Sequence, residues 1–423
     1  MKIRNLLLAG LAVAAMTACS NSEDFVDNNS LPEIKDATMQ FGIAFPQGGT
    51  RAGIDDVNDG KTEVGIADES SFSRVTVVIK YATGNPSVLT YPRKDFTGNG
   101  TPDEQKQVLY LKEGIPVTAG IAAEIYAFIN PSDALIKSLE GYSAIGDLQV
   151  TGNYSTNSLD ALIAKGGIAA AGNFLMSGVA PQSYTFTAGT SEQKVQVPVN
   201  RVAAKLVERS QANAFTVKDD KISTEAPELK IQLKEYRFVN LQQDTYVLSN
   251  KTVSDKFFEA YLSAASWSDY KASAKTITGP TAAETTANIT YCTENPSKTH
   301  TNILYKAVAT WGGNEVSTFY VSTDGKVYLT FEALAAEIKV DGLTANSSIA
   351  DFAKAGIKKY ENGECYYKSD DIGTIVRNNV YYLNVTGISH LGEPTSGDPA
   401  ELTSIKLEVA INPWTIHVIG IQL

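Results

Sequence analysis

The sequence predicts a mainly β protein with two domains and a few short helices. Its 423 residues exceed what one ordinary hydrophobic core encloses. Twenty tyrosines, thirty-two glycines and many valines, isoleucines and threonines favour strands joined by turns. From Met39 to Val239 the alternating segments amount to about seven strands, the number typical of a β-sandwich or barrel.

The most informative strand is the first, within residues 37–53. Every second side chain there is large and apolar, which is the period of a strand with one buried face: Met39, Phe41, Ile43 and Phe45. Burying these four contributes about 1.5–3 kcal/mol each, comparable in total to the stability of a whole domain. A Gly-rich loop follows and carries Arg51, where a protease could cut the Arg51–Ala52 bond and separate this strand from its domain.

Residues 1–18 are predicted to be a secretory signal, with Lys2 and Arg4 before an apolar run. The segment Met16–Thr17–Ala18 before Cys19 resembles a bacterial lipobox, whose cysteine is acylated and becomes the new N-terminus. The alternative is an ordinary signal peptide with an incidental cysteine. Residues 20–36 are polar and acidic, and we expect a flexible tether.

The other elements follow from apolar periodicity. In the first half we predict short helices over 131–139 and 158–164, and strands over 72–81, 108–111, 121–129, 183–186, 194–206 and 229–239. In the second half we predict helices over 251–266 and 331–338, and strands over 303–311, 316–322, 326–331 and 404–411, the last interrupted by Asn412–Pro413. The boundary is placed near Ser249, giving domains 52–249 and 250–423.

Composition excludes several functions. The 47 acidic residues against 36 basic ones argue against a nucleic-acid partner, since nothing would neutralise phosphates. Three histidines and three cysteines leave little room for a metal or for His-based catalysis, so no cofactor is expected. Carboxylate pairs at Glu361 and Glu364 or Asp370 and Asp371 have no predicted nucleophile nearby, and we predict no enzyme. Cys292 and Cys365 could form a disulfide or remain two buried thiols.

The end of the sequence is unusually apolar. Trp414, Ile416 and Val418 would share one face of a strand, and Ile419, Ile421 and Leu423 the opposite face. This segment could pair within its own domain. Alternatively, its apolar triplet at spacing two could match the spacing of the first strand and replace it as a donor strand.

Several segments resemble one family. Arg201 and Lys205, four apart, would share one face of a strand, and from residue physics alone we expect them to face solvent. However, this R-x-x-A-K segment, the C-Y-Y segment at 365–367 and the V-R-N segment at 376–378 resemble, in that order, signatures of the type V fimbrilins of Bacteroidales.

The resemblance implies two transthyretin-like β-sandwiches and a structural role. It implies an outer-membrane lipoprotein precursor, lipidated at Cys19, that an Arg-specific or trypsin-like protease cuts between Arg51 and Ala52. The removed first strand would be replaced by the donor strand of another copy, building a cell-surface fimbria. Implied partners are copies of itself, other fimbrial subunits, and host or bacterial surface ligands in adhesion or biofilm formation.

The alternative is a monomeric outer-membrane lipoprotein that binds glycans. Such a protein needs aromatic platforms, for which Trp267 and Trp311 are the candidates, although we expect both in the core. Polymerisation after Arg-specific proteolysis distinguishes the two functions.

Overall fold

The computed structural model describes residues 35–46, 63–65, 67–98, 106–141, 144–151, 168–169, 172–178, 180–190, 193–208, 210, 212–242, 244–248, 268–269, 289–397 and 402–415. These residues form several β-sheets and five short α-helices, which confirms the predicted mainly β fold class. The helices are α1 (Ala67–Ser70), α2 (Asp133–Gly141), α3 (Asp220–Glu225), α4 (Phe331–Glu337) and α5 (Ile349–Lys354). Two 3₁₀ turns span Arg93–Asp95 and Ile145–Asp147.

The first sheet has ten strands among the described residues. Its spatial order is β4 (Ser87–Pro92), β3 (Arg74–Tyr81), β8 (Ala122–Ile129), β10 (Met176–Gly178), β12 (Gln193–Arg201), β1 (Ala37–Pro46), β6 (Lys106–Leu111) and β5 (Phe96–Gly98). In addition, β11 (Gln182–Thr185) pairs with β8, and β7 (Ile115–Val117) pairs with β1.

The second sheet has eleven strands in the described part of the chain. Its order is β14 (Ala214–Thr216), β15 (Leu229–Val239), β19 (Asn302–Trp311), β24 (Glu364–Ser369), β26 (Thr403–Thr415), β25 (Asn379–Ile388), β13 (Ala204–Glu208) and β18 (Ile289–Cys292). At its margins β17 (Ser268–Asp269) pairs with β15, β2 (Glu63–Val64) with β26, and β20 (Asn314–Glu315) with β19.

Two smaller sheets complete the described strands. One pairs β9 (Gln149–Thr151) with β16 (Asp244–Tyr246), and the other contains β21 (Thr318–Val321), β22 (Val327–Tyr328) and β23 (Lys358–Glu361). Most predicted elements are observed within a few residues of their expected bounds, and the strand over 229–239 is observed at those bounds. The helices predicted over 158–164 and 251–266 lie outside the described residues.

Each large sheet encloses its own apolar core, as expected for two β-sandwiches. The first core includes Phe41, Val77 and Phe128, and the second core includes Ile231, Tyr305 and Leu383. The strands β13 and β25 lie between the two cores: Leu206 and Tyr381 belong to the second, whereas Val207 and Val380 belong to the first. Because both faces of these strands are covered, burial does not alternate along them, and all five residues of β13 are buried, including Lys205 and Glu208.

Two predictions about strand limits are wrong. The strand predicted over 194–206 is two strands in different sheets, because the chain leaves the first sheet after Arg201 and enters the second at Ala204. Pro413 does not interrupt the last strand: β26 continues to Thr415, with Pro413 opposite Asn379. A proline is tolerated there because the described neighbours of β26 flank Pro413 on one side only. The domain boundary near Ser249 stays a prediction, although the change of sheet comes earlier in the chain.

Candidate functional site: the first-strand groove and the charged junction

The strand β1 lies in the interior of the first sheet. It runs parallel to β12, with Ile43 opposite Val197, and antiparallel to β6, with Ile43 opposite Leu109. Its first residues also pair with β7. We call the space that β1 fills between β12 and these two strands the first-strand groove. Removing β1 would leave backbone N–H and C=O groups of the flanking strands unpaired on both sides of the groove.

The inward face of β1 is fully buried. Each of the four alternating side chains has 0% exposure: Met39, Phe41, Ile43 and Phe45. The Phe45 ring lies 6.3 Å from Phe72, which contacts Phe96 at 6.4 Å between centroids. The strand therefore supplies the middle of the first core, as its alternation predicts.

The outward face of β1 is covered at one point by a tyrosine. Gly42 lies directly opposite Tyr110 of β6 on one side and Gln196 of β12 on the other. The Gln196 amide donates a hydrogen bond to the Tyr110 hydroxyl, so the ring crosses β1 above Gly42. A Cβ at position 42 would come within 2.9 Å of the ring, which explains the glycine.

Several predicted site residues lie outside the described residues: Cys19, Arg51, Ala52, Ile416, Val418, Ile419, Ile421 and Leu423. Trp414 is described through its backbone, at the end of β26. There the short strand β2, which follows the predicted cut by about a dozen residues in sequence, pairs with Trp414 and Thr415. The start of the predicted donor strand therefore lies beside the segment that follows the predicted cleavage loop.

A buried cluster of charges lies where the chain passes from the first sheet to the second. We call it the charged junction: Glu69, Arg201, Lys205, Tyr291 and Asn378. The Glu69 carboxylate forms an ion pair with Lys205 at 3.0 Å and accepts a hydrogen bond of 2.6 Å from the Tyr291 hydroxyl. Glu69 and Arg201 have no exposed surface, and Lys205 is 2% exposed.

Arg201 links three segments within this junction. Its Nε donates to the Glu69 carbonyl at 2.9 Å, and its Nη2 donates to the Ser70 hydroxyl at 3.2 Å. Its Nη1 donates to Asn378 Oδ1 at 3.4 Å. Burial lowers the pKa of the Arg201 guanidinium to about 9, and the Glu69 charge opposes that shift, so the group stays protonated at neutral pH.

The V-R-N segment contributes a second buried cation. Arg377 binds Glu294 through both ends of its guanidinium, at 2.5 Å from Nη2 and 3.0 Å from Nε. It also donates to the carbonyls of Tyr246 and Val247, at 2.8 and 3.3 Å. The Val247 carbonyl accepts a further bond from Ser177 of β10, so Arg377 connects the second half to the first sheet.

The expectation that Arg201 and Lys205 face solvent is wrong. Both are buried because the turn after Arg201 changes sheets, so the two residues do not share one exposed strand face. Their anionic partner, Glu69, is distant in sequence and carries no local pattern that marks it. The available signal was that three consecutive small apolar residues, Val202 to Ala204, separate the two cations, because consecutive apolar residues are typical of a chain buried on both sides.

The remaining candidates belong to the core or the surface. Cys292 and Cys365 are free, buried thiols, and burial raises the pKa of each. Trp311 is partly buried against the second core, and Trp267 lies outside the described residues. A cavity of about 670 Å³ beside α3 is lined by polar side chains including Lys218, Asp219 and His390.

No helix in the described ranges is both long and apolar enough to cross a membrane. The described residues also contain no group of three or more His, Cys, Asp or Glu side chains placed to bind a metal ion.

Comparison with known proteins agrees with the sequence motifs. Residues 358–419 match the family described as "Major fimbrial subunit protein type IV, Fimbrillin, C-terminal", which confirms the resemblance to fimbrial subunits. That range contains the C-Y-Y and V-R-N segments. No curated protein matches the chain at a significant level.

Three solved structures of similar extent come from species of Parabacteroides, Bacteroides and Porphyromonas. A protein of Parabacteroides distasonis named for cell adhesion has a TM-score of 0.49 and 14% identity, covering 90% of this chain and 98% of that one. A similarly named protein of Bacteroides eggerthii has a TM-score of 0.48 and 13% identity, with 92% and 99% covered. A fimbrilin of Porphyromonas gingivalis has a TM-score of 0.44 and 16% identity, with 89% and 98% covered. Similarity at this level does not assign a function.

Proposed function

We propose that this chain, whose residues 358–419 carry the signature of the fimbrial subunit family, is a structural subunit of a cell-surface fimbria that polymerises by protease-triggered strand exchange. The observation that carries the proposal is the position of β1. It fills the middle of the first core with four fully buried side chains, yet it is followed in sequence by a Gly-rich segment that contains Arg51.

The first-strand groove would be unstable without β1. After cleavage at Arg51–Ala52 the first strand is held only by noncovalent contacts. Its loss would expose the sites of four large apolar side chains and the ladders of β12 and β6. A second strand with matching alternation restores both. The donor strand of another copy, with Trp414, Ile416 and Val418 on one face and Ile419, Ile421 and Leu423 on the other, supplies such a strand.

The precursor is proposed to reach the outer membrane as a lipoprotein acylated at Cys19. A Cys19→Ser variant should lose metabolic palmitate labelling, and assembled fimbriae should decrease with it. If labelling is lost while the amount of surface fimbriae is unchanged, export of the subunit does not depend on its lipidation.

The decisive experiment is limited digestion of purified residues 20–423 with an Arg-specific protease, followed by heated and unheated SDS gels and mass spectrometry. We expect a cut after Arg51 and an SDS-resistant ladder, which disappears when residues 419–423 are deleted. The matched control is Arg51→Lys, which keeps the charge but blocks the protease. A clean cut that yields only monomer contradicts the proposal and favours the glycan-binding lipoprotein.

A further inference from the structure

We propose that Tyr110 selects the register of strand exchange by requiring a glycine beneath its ring, and that Gly420 of a second copy is that glycine. This inference rests on the proposed function. It assigns the groove to one occupant, residues 419–423 of another subunit, and names the residue that positions it.

The requirement for a glycine comes from the subunit that receives the donor strand. Tyr110 and Gln196 lie on the two strands that flank β1, directly opposite Gly42, and are hydrogen-bonded to each other across it. The Lys194 ammonium lies 5.5 Å from the Tyr110 ring centroid, which adds a cation–π contact on the same face. Any strand in the groove passes under this ring. A side chain there would meet ring carbons at 2.9 and 3.0 Å and Val108 at 3.3 Å.

The sequence of the tail meets this requirement in one register. Aligning Gly420 with Gly42 in the direction of β1 places Ile419, Ile421 and Leu423 at the positions of Phe41, Ile43 and Phe45. The apolar triplet then faces the first core, and Gln422 takes the outward position of Ala44. The strand keeps the parallel ladder to β12 and the antiparallel ladder to β6.

The neighbouring registers fail for a steric reason. A shift of two residues in one direction puts Gln422 under Tyr110, and the opposite shift puts Val418 there. A shift of one residue turns the apolar triplet to the outward face. One glycine in the tail therefore defines the alignment, in addition to the apolar spacing.

The test uses the digestion assay with Gly420→Val. We expect the SDS-resistant ladder to fall about tenfold or more, because overpacking a filled site is strongly unfavourable. The control is Gly141→Val, the same change at a position with no atom within 4 Å, which should assemble like wild type. Adding Tyr110→Ala to Gly420→Val should restore the ladder, and Tyr110→Ala alone should assemble.

A disulfide test reads the register directly. Ala44 lies opposite Val108, so Gln422→Cys on one subunit and Val108→Cys on the next should form an intersubunit disulfide after cleavage. Cysteine at Lys106, which lies opposite Pro46, in place of Val108 should not. Cross-linking at Lys106, or a Gly420→Val ladder equal to wild type, overturns the register. Failure of wild-type protein to form any ladder instead overturns the proposed function, and the register falls with it.

Discussion

Asn378 accepts hydrogen bonds from both the backbone N–H and the guanidinium of Arg201, at 3.3 and 3.4 Å through one side-chain oxygen. Arg201 ends β12 in the first sheet, and Asn378 immediately precedes β25 in the second. Asn378 also donates its own N–H to Ala203 at 2.8 Å. Two of the three motifs that carry the family resemblance, R-x-x-A-K and V-R-N, thus meet at one point, although they are far apart in sequence. This contact explains physically why the chain keeps an arginine and an asparagine in a buried place.

The first prediction distinguishes what the side chain of Asn378 contributes to stability from what its backbone conformation requires. Asn378 has a φ of 58°, a left-handed conformation that glycine adopts freely and alanine does not. Both Asn378→Ala and Asn378→Gly remove the oxygen that accepts from the Arg201 backbone N–H and guanidinium, at a cost of about 1–3 kcal/mol. Only the alanine variant adds backbone strain, so its free energy of unfolding in urea should be about 1 kcal/mol lower than that of the glycine variant. Equal stabilities would contradict this account.

The second prediction concerns the buried ion pair of Glu69 and Lys205. Removing one partner by Glu69→Gln or Lys205→Met leaves the other group without its ion-pair partner in the core, which should destabilise the uncut protein by about 3–5 kcal/mol. The double variant removes both charges and should be clearly more stable than the Glu69→Gln single variant. Urea titrations of the wild type, the two single variants and the double variant measure this coupling. Additive losses would show that the pair does not act as a unit.

How far the sequence predicts this molecule depends on the range of the interactions. The first strand is predicted correctly because its apolar period is local and uninterrupted from Met39 to Phe45. The charged junction is not, because Glu69 and Lys205 are brought together only by tertiary packing. The prediction misses the turn after Arg201 for a related reason: apolar residues continue through this turn, so no local signal marks the change of sheet. Pro413 misleads because its effect depends on whether a strand lies on its N–H side.

The third prediction is a pH dependence from Glu208. This carboxyl is 1% exposed and lies in the second core, where Ser210 and Tyr305 donate to Oε1 at 2.5 and 3.2 Å. Its Oε2 has no hydrogen-bond partner among the described residues. Burial raises the pKa of Glu208 to about 7, against which the Ser210 and Tyr305 bonds act.

The direction of this pH dependence follows from the number of protons bound to Glu208 in the folded and unfolded states. Between the ordinary glutamate pKa of about 4.5 and about 7, the unfolded chain has lost this proton while the folded one keeps it. The contribution of Glu208 is therefore fully present below pH 4.5, falls as the pH rises through that window, and levels off above it, by an amount on the order of 3 kcal/mol. Glu208→Gln should remove this slope in urea titrations at pH 5 and pH 8. A slope that persists in the variant would assign it to other groups.

The fourth prediction distinguishes the precursor from the assembled form. Phe41→Ala should lower the free energy of unfolding of the uncut protein by about 3–5 kcal/mol, because the ring is fully buried. The temperature at which the SDS-resistant ladder dissociates should not change, since the assembled subunit no longer contains β1. Phe128→Ala, in the same core but on β8, should weaken both forms. A ladder weakened equally by both variants would mean that β1 stays in place.

The fifth prediction follows from the proposed register, which leaves one pocket poorly filled. With Gly420 at the position of Gly42, His417 lies at the position of Met39, a fully buried apolar site. A histidine there buries polar nitrogens, so His417→Met should stabilise the exchanged strand by about 1.5 kcal/mol, or roughly tenfold in dissociation. Samples of the ladder are incubated at stepwise increasing temperatures before SDS gels are run, and the increase in the dissociation temperature measures this stabilisation. His390→Met, at an exposed site beside Asp219, serves as the matched control and should leave the ladder unchanged. If His417→Met gives no gain over this control, residue 417 does not enter the Met39 pocket, and the strand is inserted in another alignment.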